Sequence, residues 1–549
     1  MHGAAENNTS PLNISEAVPM LVEIYGIRLL RFVLALSDTW EIGDELTEEQ
    51  ASVASALHDW ARMFQHLDPS NRWANLASLL TRHVAENDAS IASVMREKCG
   101  GSLQIPEREG DEVFSALVKY ARDAYAALLI DRPGGDWVLG NAYHGPDDQA
   151  SNARFFKAAL ADPQLRSLFP EHLKSDPEGI DFSELRRVDS LVFFECGQGG
   201  SFQLPLLAFH MLNSAYIRCS IEGDDSFSSY IESVSRTLSD ARAMAAGGVA
   251  KVPVVLGFSN VSLSHVGKIN LPGGCLREVS SQDRCYLPPQ VTVDALLVLE
   301  MPMKISAKAK HPKSRDDEDS GVWECAMESS RRWQNSLQWS IDCHRLAFML
   351  ANRETHRSGA VQVLQAVVNP LHATPFVSWN DGSVQTSATR MEIKANEIDD
   401  FRQWVENVTS RHPRSLRVAM RRILSAAVAR TDPSDTLVDA VLAWENMFSD
   451  SPETSLRVCG SLSILMEPSD RSRRRDINKE LTRIYSSRSA IVHGSAREPS
   501  IETVIEHGDR ALEVAVEAMR RLYKNPELLN SQTASARGKD VLLGLIEIK

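Results

Sequence analysis

Apolar positions recur at helical spacing through the first third of the chain. In "TEEQASVASALHDWARMFQHLDP", Val53, Leu57, Trp60, Phe64 and Leu67 recur on one face before Pro69, and "DEVFSALVKYARDAYAALLI" is a second such segment. The spacing predicts a helical N-terminal region over residues 1–165, broken by the turn-rich stretches "DRPGGDW" and "HGPDDQ".

Between 181 and 400 the texture changes. The short apolar runs "SLVFFEC", "AYIRCSI", "VPVVLGF" and "DALLVLEMPMKI" predict strands, with a helix at "FSSYIESVSRTLSDARAMAA". The polar run "AKAKHPKSRDDEDSG" predicts an exposed loop, and "MESSRRWQNSLQWSIDCHRLAFMLAN" a long helix after it. This middle region is expected to be mixed α/β, in a sensing or regulatory role.

From 411 the pattern is helical again and well punctuated. In "RTDPSDTLVDAVLAWENMF", Asp432 can cap a helix, Pro433 suits its first turn, and Asp435 places a favourable negative charge there. Leu437, Val441, Trp444 and Phe448 then form one apolar face. "SLRVCGSLSILM" and "RRRDINKELTRIYSSRSAIVHG" follow. The next segment, "SIETVIEHGDRALEVAVEAMRRLY", has apolar or small residues at 501, 504, 505, 508, 512, 515, 516, 519 and 522. With "RSLRVAMRRILSAAVA" in front, these predict a bundle of four or five helices over 411–525, followed by a tail, 526–549. The expected fold is therefore multidomain α+β: helical N-terminal region, mixed α/β middle, all-α C-terminal bundle.

One position breaks the pattern. In the third of those helices the apolar face runs Ile477, Leu481, Ile484, position 488, Ile491 and Val492, and position 488 is an arginine. A guanidinium does not lose its proton, so on a core-facing stripe it needs an anion, a helix end or an interface. A helix end accounts for part of this, because Arg488 and His493 precede Gly494, where cations suit the helix dipole and glycine suits the cap. Five residues on a helix turn by roughly 140°, so one chain presents Arg488 and His493 awkwardly. A twofold axis could bring both pairs into a shared cleft.

Composition adds bounds. A chain of 549 residues, 43% hydrophobic and 24% charged, is an ordinary folded protein with room for about three domains. A net charge of −14 argues against coating nucleic acid through overall charge, although 411–530 carries 19 Lys plus Arg against 17 Asp plus Glu. Arg471, Arg473, Arg474, Arg475 and Arg483 are candidate RNA contacts there, and Arg414, Arg417 and Arg421 recur at helical spacing upstream. The eight cysteines show no close pairing, which points to a reducing cytoplasm. The apolar N-terminal stretch is interrupted by Glu23, Arg28 and Arg31, so no membrane partner is expected.

On the residues "DTLVDAVLAWENMF", "SLRVCGSLSILM" and "LTRIYSSRSAIVHG", the C-terminal fifth of the chain resembles the HEPN superfamily, and most closely its Apea-like branch. The resemblance implies an all-helical bundle that dimerises and, in many members, a metal-independent endoribonuclease. It makes Arg488 and His493 the catalytic pair, with Ser489 and Tyr485 in support. Many active relatives carry Asn, Asp or His where Ser489 stands. It further implies RNA, tRNA included, as substrate, bacterial anti-phage defence as setting, and a phage-derived or other trigger.

The chemistry is coherent on its own terms. RNA supplies its own nucleophile, the 2′-hydroxyl, so the enzyme needs a proton carrier and a cation at phosphorus. Histidine does the first and a guanidinium, through paired hydrogen bonds, the second. No metal or cofactor is expected. Other features predict less: Gly197, Gly199 and Gly200 match no phosphate-loop pattern, Cys275, Cys285, Cys325, Cys343 and His344 match no zinc module, and His144 and His265 lack catalytic partners. The alternative is a non-catalytic HEPN dimer that binds nucleotides or RNA as a scaffold. A separate activity within 181–400 is a third reading.

Overall fold

The computed structural model describes residues 14–130, 149–169, 171–175, 191–194, 201–202, 204–264, 266–309, 319–372, 375–380, 388–449, 454–494 and 498–548. The fold is mixed: helices at the N-terminus, a sheet in the middle, helices at the C-terminus. The turn-rich stretches within 131–148, the glycines at 197–200, and His144 and His265 lie outside the described residues.

The N-terminal helices include Ile14–Tyr25, Glu48–Met63, Pro69–Thr81 and Glu112–Leu129. Thr47 and Gln50 close a capping box at the start of the second of these. That helix ends at Met63, before Phe64 and Leu67, and Pro69 opens the next one, where its missing N–H costs nothing.

The middle holds a six-stranded antiparallel sheet. Its strands are β1 (Ala250–Ser259), β2 (Lys268–Leu271), β3 (Gly274–Glu278), β4 (Ala295–Met303), β5 (Val361–Val367) and β6 (Phe376–Trp379), in spatial order β6-β5-β1-β4-β3-β2. β1 is buried at nearly every position, as its continuous apolar run requires of a central strand covered on both faces. "SLVFFEC" contributes Leu191–Phe194, which pairs with Ile305–Ala309 in a separate small sheet.

Two expectations fail here. "AYIRCSI" is not a strand but the C-terminal half of the helix Leu207–Glu222. That helix is buried almost all round, so it shows no polar face to mark its period, and a short apolar run read alone mimics a strand. The polar run 307–321 is also not wholly a loop. Its first residues close the strand Ile305–Ala309 and its last open the long helix Asp319–Ala351, residues 310–318 lying outside the described ones.

The C-terminal region contains α1 (Arg417–Leu424), α2 (Pro433–Phe448), α3 (Thr454–Met466), α4 (Arg471–His493), α5 (Ile501–Lys524) and α6 (Ala534–Leu542). α2 begins as its sequence requires: the Asp432 side chain accepts from Ser434 N, with Pro433 in the first turn. Leu437, Val441, Trp444 and Phe448 are all fully buried, each worth about 1.5–3 kcal/mol of hydrophobic stabilisation. The Trp444 indole donates to Ala511 O at 3.0 Å and ties α2 to α5.

The tail is part of this body. α6 packs on α2 and α3, and Gly538 lies against Phe448 O so closely that any Cβ would collide with it. Arg537 is fully buried and donates to Leu528 O, Met447 O, Leu529 O, Ser531 O and Ser415 Oγ. Its guanidinium satisfies chain ends that would otherwise be buried unpaired.

The apolar interior is contiguous, running from Leu21 to Val541. A smaller cluster, including Val255, Leu296 and Leu364, fills the second face of the sheet. The middle region also grips α5: Arg520 donates to Leu350 O and Met349 O at the end of the long helix, and Arg357 pairs with Asp509. Among the described residues no helix is long and apolar enough to cross a membrane.

Candidate functional site

α4 runs unbroken from Arg471 to His493. Asp470 caps its start by accepting from Ser472 N and Arg473 N, and Gly494 ends it at φ 62°, a left-handed conformation that costs glycine little. No break separates Arg488 from His493, so the ~140° between them is retained and they face different ways.

Arg488 turns inward. Its side chain is only 15% exposed, and its Nη2 donates to Glu445 Oε2 on α2 at 3.4 Å. Tyr485, one turn earlier, donates its hydroxyl to Glu445 Oε1 at 2.6 Å. Burial, then the adjoining Glu445 carboxylate, pushes the Tyr485 phenol well above its ordinary pKa, so it remains a donor. Glu445 thus answers the question that Arg488 poses on an apolar stripe: the cation has an anion within its own chain, and that stripe alone does not require a second copy.

The pairing is incomplete. A guanidinium has five N–H groups, and the Arg488 Nε is buried without a hydrogen-bond partner among the described residues. A buried donor left unmade costs about 1–3 kcal/mol.

His493 is exposed in the last turn of α4, with Val492 exposed beside it. This corrects the expected apolar face, which ends at Ile491. Ile501 and Ile505 on α5 are likewise exposed, although their neighbours Val504, Gly508 and Leu512 on the same stripe are buried. Ser489 is half-buried and makes no hydrogen bond among the described residues. The serine that does touch a titratable group is Ser487, whose Oγ lies 2.9 Å from His507 Nδ1 on α5.

The arginine cluster divides. Arg474 donates to Glu467 O and Pro468 O and so secures the start of its own helix, and Arg473 lies 3.7 Å from Asp470. Arg471, Arg475 and Arg483 are exposed and unpaired among the described residues. Upstream, Arg421 is engaged with Asp342 of the long helix.

A cleft of about 510 Å³ opens between α3 and α4. Ser455, Leu456 and Cys459 line it from α3, and Asn478, Thr482 and Tyr485 from α4. Tyr485 therefore belongs both to this cleft and to the Glu445–Arg488 contact.

Sequence reasoning passed over Glu445, His507 and the cleft. Glu445 carried a signal: in "VLAWENMF" it is an acid four residues after Val441, beside the buried Trp444, as Arg488 is a base on the stripe of α4. His507 and the cleft carried none, because both depend on how helices distant in sequence are placed. Of the residues considered for zinc, Cys275 lies on β3 and Cys343 with His344 on the long helix, and among the described residues no three His, Cys, Asp or Glu side chains gather to hold a metal.

No family model, curated protein or solved structure matches the chain.

Proposed function

We propose that the chain is a metal-independent endoribonuclease of the HEPN kind, working as a homodimer through its C-terminal helical bundle. Arg488 holds the scissile phosphate, His493 moves the proton, and the 2′-hydroxyl attacks phosphorus. The products are a 2′,3′-cyclic phosphate and a 5′-hydroxyl. The observation that carries the reading is the Arg488 guanidinium, held by Glu445 through a long contact while its buried Nε has no partner among the described residues.

The orientation of His493 supports a shared site. It faces away from Arg488 of its own helix, while exposed Val492, Ile501 and Ile505 offer apolar surface that a second copy would cover. Exposed Arg471, Arg475 and Arg483 supply local positive charge for RNA. The N-terminal and middle regions hold the nuclease in check, the middle region through its grip on α5, in a cytoplasmic anti-phage setting with tRNA among the targets.

A non-catalytic scaffold is the second reading, and Glu445 favours it: a carboxylate that neutralises Arg488 makes the arginine a structural ion pair. Incubating total RNA with wild type, Arg488→Ala and His493→Ala in EDTA separates the two. The nuclease reading expects 5′-hydroxyl fragments from wild type and a loss on the order of 100-fold or more in each variant. Cleavage that survives both substitutions, or that requires a divalent metal, defeats it.

A further inference from the structure

The cleft between α3 and α4 has no part in the chemistry proposed above, yet it is built against it. Its Tyr485 wall is one turn from Arg488, ~4.5 Å along the helix axis. The Tyr485 hydroxyl is fixed on Glu445, so the ring is held rather than free to swing. An RNA whose phosphate reached Arg488 would hold an adjoining base within one helical turn of Tyr485.

The lining suits a base more than a phosphate. None of the described residues lining the cleft is charged. Leu456 stands on the wall with 70% of its surface exposed, an apolar side chain that the fold itself does not cover. Leu456 and the Tyr485 ring together present apolar and aromatic surface of the sort on which splayed bases pack. Asn478 adds a carboxamide with no hydrogen bond among the described residues, while its backbone carbonyl accepts from Thr482. A carboxamide offers one donor and one acceptor side by side, the pattern that pairs with the adenine N6 amino group and N7. The volume is that of a small-molecule site. Outside the cleft, exposed Arg475 and Arg483 on the same helix can follow the backbone of a single strand.

The geometry points to a base-reading pocket: the α3–α4 cleft takes an adenine base of the RNA strand next to the scissile phosphate, with Asn478 pairing its edge and Leu456 and Tyr485 packing its faces. RNA as the ligand rests on the nuclease reading, but binding of an isolated nucleotide does not require catalysis. The cleft is a specificity site, and Asn478 a specificity-determining residue.

The test uses the full chain and the four nucleoside 5′-monophosphates in EDTA, titrated by calorimetry. Adenosine monophosphate is expected to bind roughly tenfold more tightly than the guanosine, cytidine and uridine forms, the discrimination a paired amide edge provides. Asn478→Asp, which replaces the amide donor with an acceptor, abolishes the preference. Leu456→Ala, at an exposed position that the fold tolerates, weakens adenosine monophosphate binding, and Arg488→Ala retains the preference. Equal binding of all four, absence of binding, or a preference that survives Asn478→Asp overturns the pocket. Mapping of 5′-hydroxyl ends judges the nuclease reading separately. If cleavage depends on Arg488 and His493 but its base preference ignores Asn478, the nuclease stands and the pocket falls. Base binding together with cleavage that survives both Arg488→Ala and His493→Ala leaves the pocket standing and removes the nuclease reading.

Discussion

Arg488 donates to Glu445 across 3.4 Å, joining the helix that carries the candidate site to the helix that carries Trp444. The contact sets the direction of the guanidinium before any ligand arrives. It also draws Arg488 inward while His493, on the same unbroken helix, stays exposed.

A site assembled from two chains makes a complementation prediction. Mixed after mild dissociation, inactive Arg488→Ala and inactive His493→Ala proteins should regain activity, because a heterodimer retains one site with both residues intact. Ile501→Asp combined with Ile505→Asp should yield a folded monomer without activity, as both side chains are exposed. Light scattering and RNA cleavage check the pair of outcomes. Mixtures that stay inactive despite exchange, or an active monomer, rule out the shared site.

Glu445→Ala leaves the Tyr485 hydroxyl and the Arg488 guanidinium without their partner, and should lower stability by about 1–3 kcal/mol in urea unfolding. Glu445→Gln keeps the shape and one acceptor oxygen, turning the other into an amide donor, and should cost less. If Glu445 positions Arg488, both substitutions reduce cleavage beyond what the folded fraction explains. Wild-type stability and cleavage in Glu445→Ala would remove Glu445 from the site.

Arg537→Ala should be among the most destabilising single changes in the bundle, about 3–5 kcal/mol, because it leaves several buried carbonyl groups unpaired and a cavity where the side chain packed. Burial also lowers the pKa of this guanidinium to about 10. Limited proteolysis should then cut ahead of α6, where wild type resists. A melting temperature unchanged by the substitution would contradict the docked tail.

Acid should destabilise the bundle through His412. Burial lowers its pKa to about 4 from an ordinary 6.5, and its Nδ1 lies 2.7 Å from the Tyr523 hydroxyl. The folded state keeps this ring neutral while the unfolded chain protonates it, so the contribution is fully present above about pH 6.5. It is lost progressively as pH falls toward 4, about 3 kcal/mol in all. His210, lowered to about 3 chiefly by burial, acts in the same direction. His412→Gln should flatten part of the slope of stability against pH; an unchanged slope would mean that His412 does not titrate in this way.

Local rules made much of the fold legible. Asp432 and Pro433 open α2, Gly494 closes α4, and the stripe of α5 is buried from Gly508 to Leu522, because caps and periodicity act within a few residues. The strand β1 was legible as a continuous apolar run, whereas Leu207–Glu222, buried all round, was not. At the site, the sequence marked Arg488 and His493 as unusual and fixed the angle between them once the helix was known.

Only the tertiary structure decided what Arg488 touches. Glu445 lies 43 residues away, His507 reaches Ser487 from another helix, and the cleft exists only where α3 meets α4. The sequence determined which side chains each helix turns toward its neighbours. Which helices become neighbours depends on burying many apolar faces together, a condition that no local pattern contains.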